Sequence, residues 1–492
     1  MQKILIYFSI FFLFNACSFD NKTGIWSDAT KEVSDEKKDI RKLKKNKKYK
    51  KDGKTITEAR YKAVCKWGIF NPPECDYERI NDPRNEENIQ FVNVFQNEEL
   101  FEEEILKDTK IKINIIKSQK NKNWLQTNYS SGNSIPNLHF SDKKDVILKS
   151  SKLSRSTLNS SFLYFNDSIV YSDQKGSIYV YSVENKEKSF KFNFYQKKYK
   201  KFKKKIYLLI HNKIIFAADN LGYVYAIDIN SKKLIWAKNF GIPFRSNIKV
   251  ANNQLLLASQ DNVLFSLDVF NGVKNWEIAS SVTYLKSAFE NSIVIDQNSN
   301  NLFFLNTSGE LYSINYETKN INWVLNFKSS SAPNEQDLFL SHPMVLRNNL
   351  LSVTTNKSIF TVNPITGTKI WRKAIPISTK PLVTKNYTFV ITKNNFLMCI
   401  DNSNGNVLWS RNIFKQINEK KVNKLGAVND FNIVESAILI SSFNGYLISA
   451  NYQDGSIISY KRLSRSGIKS KPIFADGYMY VLNGNNKILK IE

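Results

Sequence analysis

Histidine and cysteine are scarce in this chain, and their scarcity removes most catalytic chemistry at once. Three His and four Cys occur in 492 residues. His139, His211 and His342 are isolated, so no HExxH pair and no His/carboxylate cluster stands at metal-ligand spacing. There is no GxSxG elbow and no phosphate-binding loop. No two Cys are adjacent, and Cys65 and Cys75 lack the spacing of a zinc site. The apolar run at 4–14 is too short to cross a bilayer as a helix. Acidic residues are also outnumbered, 44 against 71 Lys and Arg, giving a formal charge of +27. The densest basic stretch, 31–66, carries only Tyr49 and Tyr61 as aromatics, too few to stack successive bases, so nucleic acid is not expected as a partner.

What the chain does have is repetition. The turn residues Gly222, Asn262, Gly309, Lys357 and Asn395 are each followed 14 positions later by a Trp: Trp236, Trp276, Trp323, Trp371 and Trp409. Weaker copies start at Gly176, Gly445 and Asn486, making eight units at a period of roughly 40–50 residues. Two positions after each anchor the residue is aliphatic; four positions after, it is mostly small. Both columns share one strand face because side chains alternate, and the opposite face is also apolar. A strand buried on both faces lies between two other layers. A second turn follows at Asn271-Gly272, Thr366-Gly367, Asn404-Gly405 and Asp454-Gly455. Each unit therefore reads as four short antiparallel strands, and the fold class as all-β: an eight-bladed β-propeller over 120–492. The Asp/Asn column six after the anchor (Asp228, Asp268, Asn315, Asn363, Asp401, Asn451) reads as turn capping rather than an acidic ring.

The eighth unit stops at Glu492, before its Trp strand, which would leave an open sheet edge. An N-terminal strand is expected to join the last blade and close the ring. The candidate is 121–127, with Trp124 as a sixth docking Trp. Upstream, 88–108 places Phe91, Phe95, Leu100, Phe101, Ile105 and Leu106 at helical spacing, predicting a short packed helix.

The amino terminus reads as an address. Lys3, the apolar run and Asn15-Ala16-Cys17 resemble a bacterial lipoprotein signal, 1–16, with Cys17 lipidated. Ser18 after the Cys favours the outer membrane on that resemblance. Residues 17–119 then form a basic tether and extension. Its charge suits an anionic lipid, lipopolysaccharide or cell-wall surface, or simply a solvated linker in a chain biased toward Lys, Asn and Ile. Cys65 and Cys75 are a candidate disulfide in an oxidising compartment, and Cys399 a buried core thiol.

The repeat GYVYAIDINSKKLIW and its copies resemble pyrroloquinoline-quinone-type propellers, in which each Trp docks on the next blade. Two families share that repeat, the quinoprotein dehydrogenases and the BamB family of the outer-membrane β-barrel assembly machinery. The segment NWLQTNYSSGNSIPNLHF is similar to the start of the BamB propeller. That resemblance implies a non-enzymatic, lipid-anchored scaffold with no cofactor and no metal, on the periplasmic face of the outer membrane. Its implied partners are the barrel-inserting subunit BamA and unfolded outer-membrane proteins. The implied contact loop includes Tyr284, Leu285 and Lys286. The alternatives are a quinone-dependent periplasmic dehydrogenase and a cell-wall glycan-binding propeller.

Overall fold

The computed structural model describes residues 101, 103–141, 143–195, 199–282, 289–328, 338–417 and 424–492, together with the backbone of four short strands nearer the amino terminus. Two compact units divide at residue 97. In the first, Cys17–Phe19 pairs with Trp26–Asp28, and Tyr61–Lys66 pairs with Glu74–Arg79 as an antiparallel hairpin. The register of that hairpin sets Cys65 directly opposite Cys75.

The second unit holds eight four-stranded antiparallel sheets, and strand order follows chain order in the first seven. Blade one comprises Leu158–Phe165, Ser168–Asp173, Ser177–Ser182 and Glu187–Asn193. First strands of neighbouring blades approach one another around a common axis. Second and third strands are buried on both faces, as in QLLLA at Gln254–Ala258 and VLFSLD at Val263–Asp268. Fourth strands form the outer wall, and Leu234–Asn239 buries only its Trp fully. The whole arrangement is the expected propeller of doubly buried strands.

Register explains the small column. Ala226, Ser266, Ser313, Thr361 and Cys399 each pair directly with the Trp of the same blade: Trp236, Trp276, Trp323, Trp371 and Trp409. The small side chain makes room for its own blade's indole, not for one from a neighbouring sheet. Immediately after this pair the register slips by one residue in every one of these blades. A β-bulge of this kind bends the strand and raises its twist. It leaves one residue unpaired, Ile235 in blade two, and turns it outward.

The next blade supplies the other side of the indole. Trp236, Trp323, Trp371 and Trp409 lie over Gly272, Gly367, Gly405 and Gly455, where an added Cβ would come within 2.5–2.8 Å of the ring. All four glycines have φ between 70° and 74°. Only Gly serves both demands, left-handed backbone and no side chain under the ring. Three of these indoles donate to the same turn: Trp236 to Val269 O at 3.0 Å, Trp323 to Pro364 O at 3.1 Å and Trp371 to Asn402 O at 2.8 Å. Blade four has Lys319 in the Gly place, and Trp276 donates instead to Gln254 Oε1 of its own blade at 3.0 Å.

The ring closes by an N-terminal strand, but not the expected one. Val146–Lys149 pairs with Ile488–Ile491 and completes the eighth blade, placing Leu148 opposite Lys490 in the Trp register. Leu148 precedes Phe190, the equivalent residue of blade one, by 42 positions, a normal repeat length. Trp124 precedes it by 66 and belongs elsewhere: its backbone pairs with Tyr164 on the first strand of blade one. The helix expected at 88–108 is also corrected where it is described. Ile105 forms an antiparallel bridge with Ser410, adding extended chain beside the outer strand of blade six. Apolar spacing there reflects one extended face against the blade, not a helical stripe. Residues 88–100 lie outside the described residues.

Candidate functional site at the sealed axis and the blade-connecting loops

The segment 118–140 makes the most of its location. Trp124 N donates to Tyr164 O at 2.7 Å on blade one, and Ile210 N of blade two to Leu125 O at 2.8 Å. Ile295 N of blade four reaches Ser131 O, and Leu346 N of blade five reaches Gly132 O. Leu138 bridges Val434 of blade seven, and Asn121 Nδ2 donates to Phe474 O of blade eight at 2.7 Å. Asn121 and Leu138 meet turn residues that follow first strands, Asp476 and Glu435. Asn133 meets Met344 O, just before a first strand. The segment therefore enters the axis at one end, dips inward near Asn133 and leaves again. Gly132 is required at the closest approach, since a Cβ there would sit 2.6 Å from Leu346 O.

Three cations hold the dip. Lys249 of blade three donates to Gln126 Oε1, Ser130 O and Asn133 Oδ1 at 3.0, 2.8 and 2.7 Å. Lys380, beside blade six, donates to Asn133 O at 2.7 Å. Arg347 of blade five reaches Ile135 O and Val383 O with one terminal nitrogen. Burial pushes the Lys249 amine down to about 7, with nearby Lys380 adding repulsion. Burial likewise pushes Lys380 down to about 7, with Lys471 adding repulsion and Asp430 opposing it. Three acceptors occupy all three N–H bonds of Lys249 and favour its ammonium form; Lys380 has one.

The consequence for stability has a definite sign. An unfolded lysine titrates at 10.5 and these at about 7. Below pH 7 both states are protonated and the fold bears the full cost of two buried charges. Between about 7 and 10.5 the unfolded chain holds protons that the folded chain has shed, so stability rises with pH. Lys380→Met is expected to stabilise the protein at pH 6 by about 1–3 kcal/mol and to flatten that rise. Urea midpoints at pH 6 and pH 9 check it; an unchanged slope would show that Lys380 does not titrate in this window.

The other predicted site residues are scattered. His139 Nδ1 pairs with Glu435 Oε1, where it fastens the exit of the axial segment. His342 is half-buried, pushed down to about 4 chiefly by desolvation, and its Nε2 faces Ile377 O at 3.2 Å. His211 sits at the end of a first strand, lowered by burial. Cys399 is a fully buried free thiol, raised by burial. The Asp/Asn column caps turns as expected: Asp268 Oδ1 accepts from Phe270 N and Asn271 N, and Asn363 Oδ1 from Ile365 N. Among the described residues no three His, Cys, Asp or Glu converge to hold a metal. A quinone held over a calcium ion would need several carboxylates; the axial dip is held by two amines and a guanidinium, with Asp430 the acid acting on Lys380, and that donor set does not fit.

The expected contact residues Tyr284, Leu285 and Lys286 lie outside the described residues, but both roots of their loop are visible. Asn262 ties down one root, donating to Ser281 O at 2.7 Å while its backbone oxygen accepts from Ser280 Oγ at 2.8 Å. Ser308 Oγ adds a bond to Ser281 O, and Asn306 Nδ2 one to Ser280 Oγ. At the other root Phe289 is buried edge-on against Phe339 at 5.6 Å, and Glu290 pairs with Lys205. Phe339 belongs to the next blade connection, so two connecting loops share one anchor. Around them Val282, Leu338 and Leu340 are exposed. A dense hydrogen-bond network at the roots of a connection, beside exposed apolar side chains, is a geometry that can carry a binding surface on a rigid scaffold. Asn262 was legible only as a turn anchor; its second use follows from the blade beside it.

Comparisons with known proteins fit this geometry. A family profile described as outer membrane protein assembly factor BamB matches residues 174–411 and 291–492. The outer membrane protein assembly factor BamB of Shewanella oneidensis is 22% identical, the match covering 56% of this chain and 81% of that protein. Among solved structures, BamB from Moraxella catarrhalis superposes with a TM-score of 0.56 at 11% identity, covering 71% of this chain and 99% of that one. Quinohemoprotein alcohol dehydrogenase from Comamonas testosteroni gives 0.57 at 8% identity, covering 76% and 81%. At these identities the structural likenesses speak for the fold alone.

Proposed function

This chain belongs to the BamB family of outer membrane protein assembly factors, and from that premise we propose that it is a non-enzymatic scaffold of the β-barrel assembly machinery. It binds the barrel-inserting subunit BamA through the loops between blades three, four and five. The observation that carries this reading is the anchored pair of connections around Phe289 and Phe339, flanked by exposed Val282, Leu338 and Leu340. A preorganised root lowers the ordering cost of binding, and the exposed apolar rim supplies the area to bury. Cys17 is its lipidation site, holding the propeller at the periplasmic face of the outer membrane and raising its effective concentration near the partner. Cys65 and Cys75, opposite one another across the hairpin, are bonded in that oxidising compartment.

Leu285→Ala with Lys286→Ala is expected to lower BamA co-purification at least several-fold with the unfolding midpoint unchanged. Photo-cross-linking from position 285 in native outer membranes should give a BamA adduct in the parent protein. Equal recovery of BamA from the double variant would remove this loop from the interface. The alternative reading, a quinone-dependent enzyme, is disfavoured by the amines and guanidinium at the axis. Titration of the folded protein with quinone and calcium tests it by absorbance and by any dye-linked turnover.

A further inference from the structure

The closure seam carries a feature that the scaffold reading does not use. Between the segment that precedes blade one and the last hairpin of blade eight lies a pocket of about 390 Å³. Lys152, Arg155 and Thr157 line it from one side of the seam, and Lys469, Asn486 and Lys487 from the other. Four cations face one cavity, and no carboxylate lines it. Among the described residues none of the four is paired with an acid; the ion pairs at this end of the chain use Lys143 and Lys461 instead. Four like charges around one concavity repel each other, at a cost that a bound anion would remove.

The pocket exists only in the closed ring. Asn486 Nδ2 donates across the seam to Ser154 O and Ser156 O, at 3.2 and 2.8 Å, and Leu153 N donates to Asn486 O at 2.9 Å. Asn486 is more than nine-tenths buried, and its remaining oxygen, Oδ1, has no hydrogen-bond partner. That oxygen is closed off from solvent, so a ligand's contacts fall to the four cations, which a phosphate, free or carried on a sugar, could meet with its oxygens. The cavity volume falls in the ordinary range for small-molecule sites.

We propose that this pocket is an anion site for a diphosphate or sugar-phosphate group, which on binding clamps the last blade to the segment before the first. The proposal is independent of the BamA reading. The chemistry is common to a phosphorylated lipid headgroup and to a soluble phosphate compound, and the two sources are separable by experiment.

The test uses the full chain and inorganic pyrophosphate at constant ionic strength. Saturating pyrophosphate is expected to raise the unfolding midpoint of the parent by about 2–4 °C. The shift should vanish in the variant with Lys152→Gln, Arg155→Gln, Lys469→Gln and Lys487→Gln. It should persist when Lys191, Lys238, Lys328 and Lys373, on other blades, are changed to Gln. No shift in the parent, or the same shift in both variants, overturns the proposal. Flotation with phosphatidylcholine vesicles doped with diphosphoryl lipid A then identifies the source. Binding several-fold weaker in the pocket variant than in the control variant, with the pyrophosphate shift lost, points to a headgroup. Equal binding with the shift lost points to a soluble phosphate compound.

Discussion

A chain that starts at residue 150 is expected to lose the soluble monomeric propeller, whereas one that starts at residue 98 keeps it. The shorter chain lacks Val146–Lys149, the fourth strand of blade eight, and so exposes the length of Ile488–Ile491 as an unpaired edge. It also lacks 118–140, whose backbone and side chains satisfy groups on the first strands of the blades around the axis. An edge of this kind pairs with another copy, so the expected product is aggregate rather than an open monomer. Size-exclusion with light scattering separates the outcomes. A monomeric, cooperatively unfolding chain from residue 150 would show that the seal and the closing strand are ornaments. Adding a peptide covering 118–152 during refolding should recover part of the monomer.

The second large effect concerns the docking indoles. Trp409 is fully buried, with Cys399 beside it in its own blade and Gly455 of the next blade beneath it. Trp409→Ala is expected to cost about 3–5 kcal/mol, as removal of a packed aromatic does. Gly455→Ala is expected to cost about 1–3 kcal/mol, because φ is 73° and the new Cβ would fall 2.6 Å from the indole. The two residues touch, so their costs should not add. Once the ring is gone the methyl has space, and the double variant should lose clearly less than the sum. Urea midpoints of the four proteins measure this; strict additivity would mean that the Gly is needed for its backbone alone.

Much of this architecture was legible in the chain, and the reasons differ from part to part. The blades were legible because burial on both faces forces fixed residue classes at fixed offsets, and a Trp marks the register in five of the eight. The turn caps were legible because Asp268 or Asn363 at a strand end can do little else. The closing strand was not. VILK at 146–149 has no Trp and leaves Val146, Ile147 and Lys149 exposed, and Trp124 stands in a segment whose spacing is already too long. The bulge beside each Trp pair leaves no sequence mark, since the residue it inserts varies in kind: Ile235, Asn275, Asn322, Ile370 and Leu408. The axial lysines were hidden for a related reason. In a chain with 71 basic residues, nothing about Lys249 or Lys380 sets them apart until the ring brings them to one oxygen-rich loop. For the loop at 284–286 the resemblance supplied the position, while the roots that hold it come from residues in three different strands and turns.

The axial segment also sets an order of events. Residues 118–140 are made before every strand they touch, and their partners run from Tyr164 to Asp476. The final hairpin, which completes both the seal and the seam, is made after every other blade strand. Contacts separated by more than 300 residues must therefore form together at the end, which is the topology of slow folding. Until Ile488–Ile491 arrives, blades already formed remain an arc with two raw ends. The time the protein spends vulnerable is then set by the arrival of that one closing hairpin, not by how fast any single blade folds.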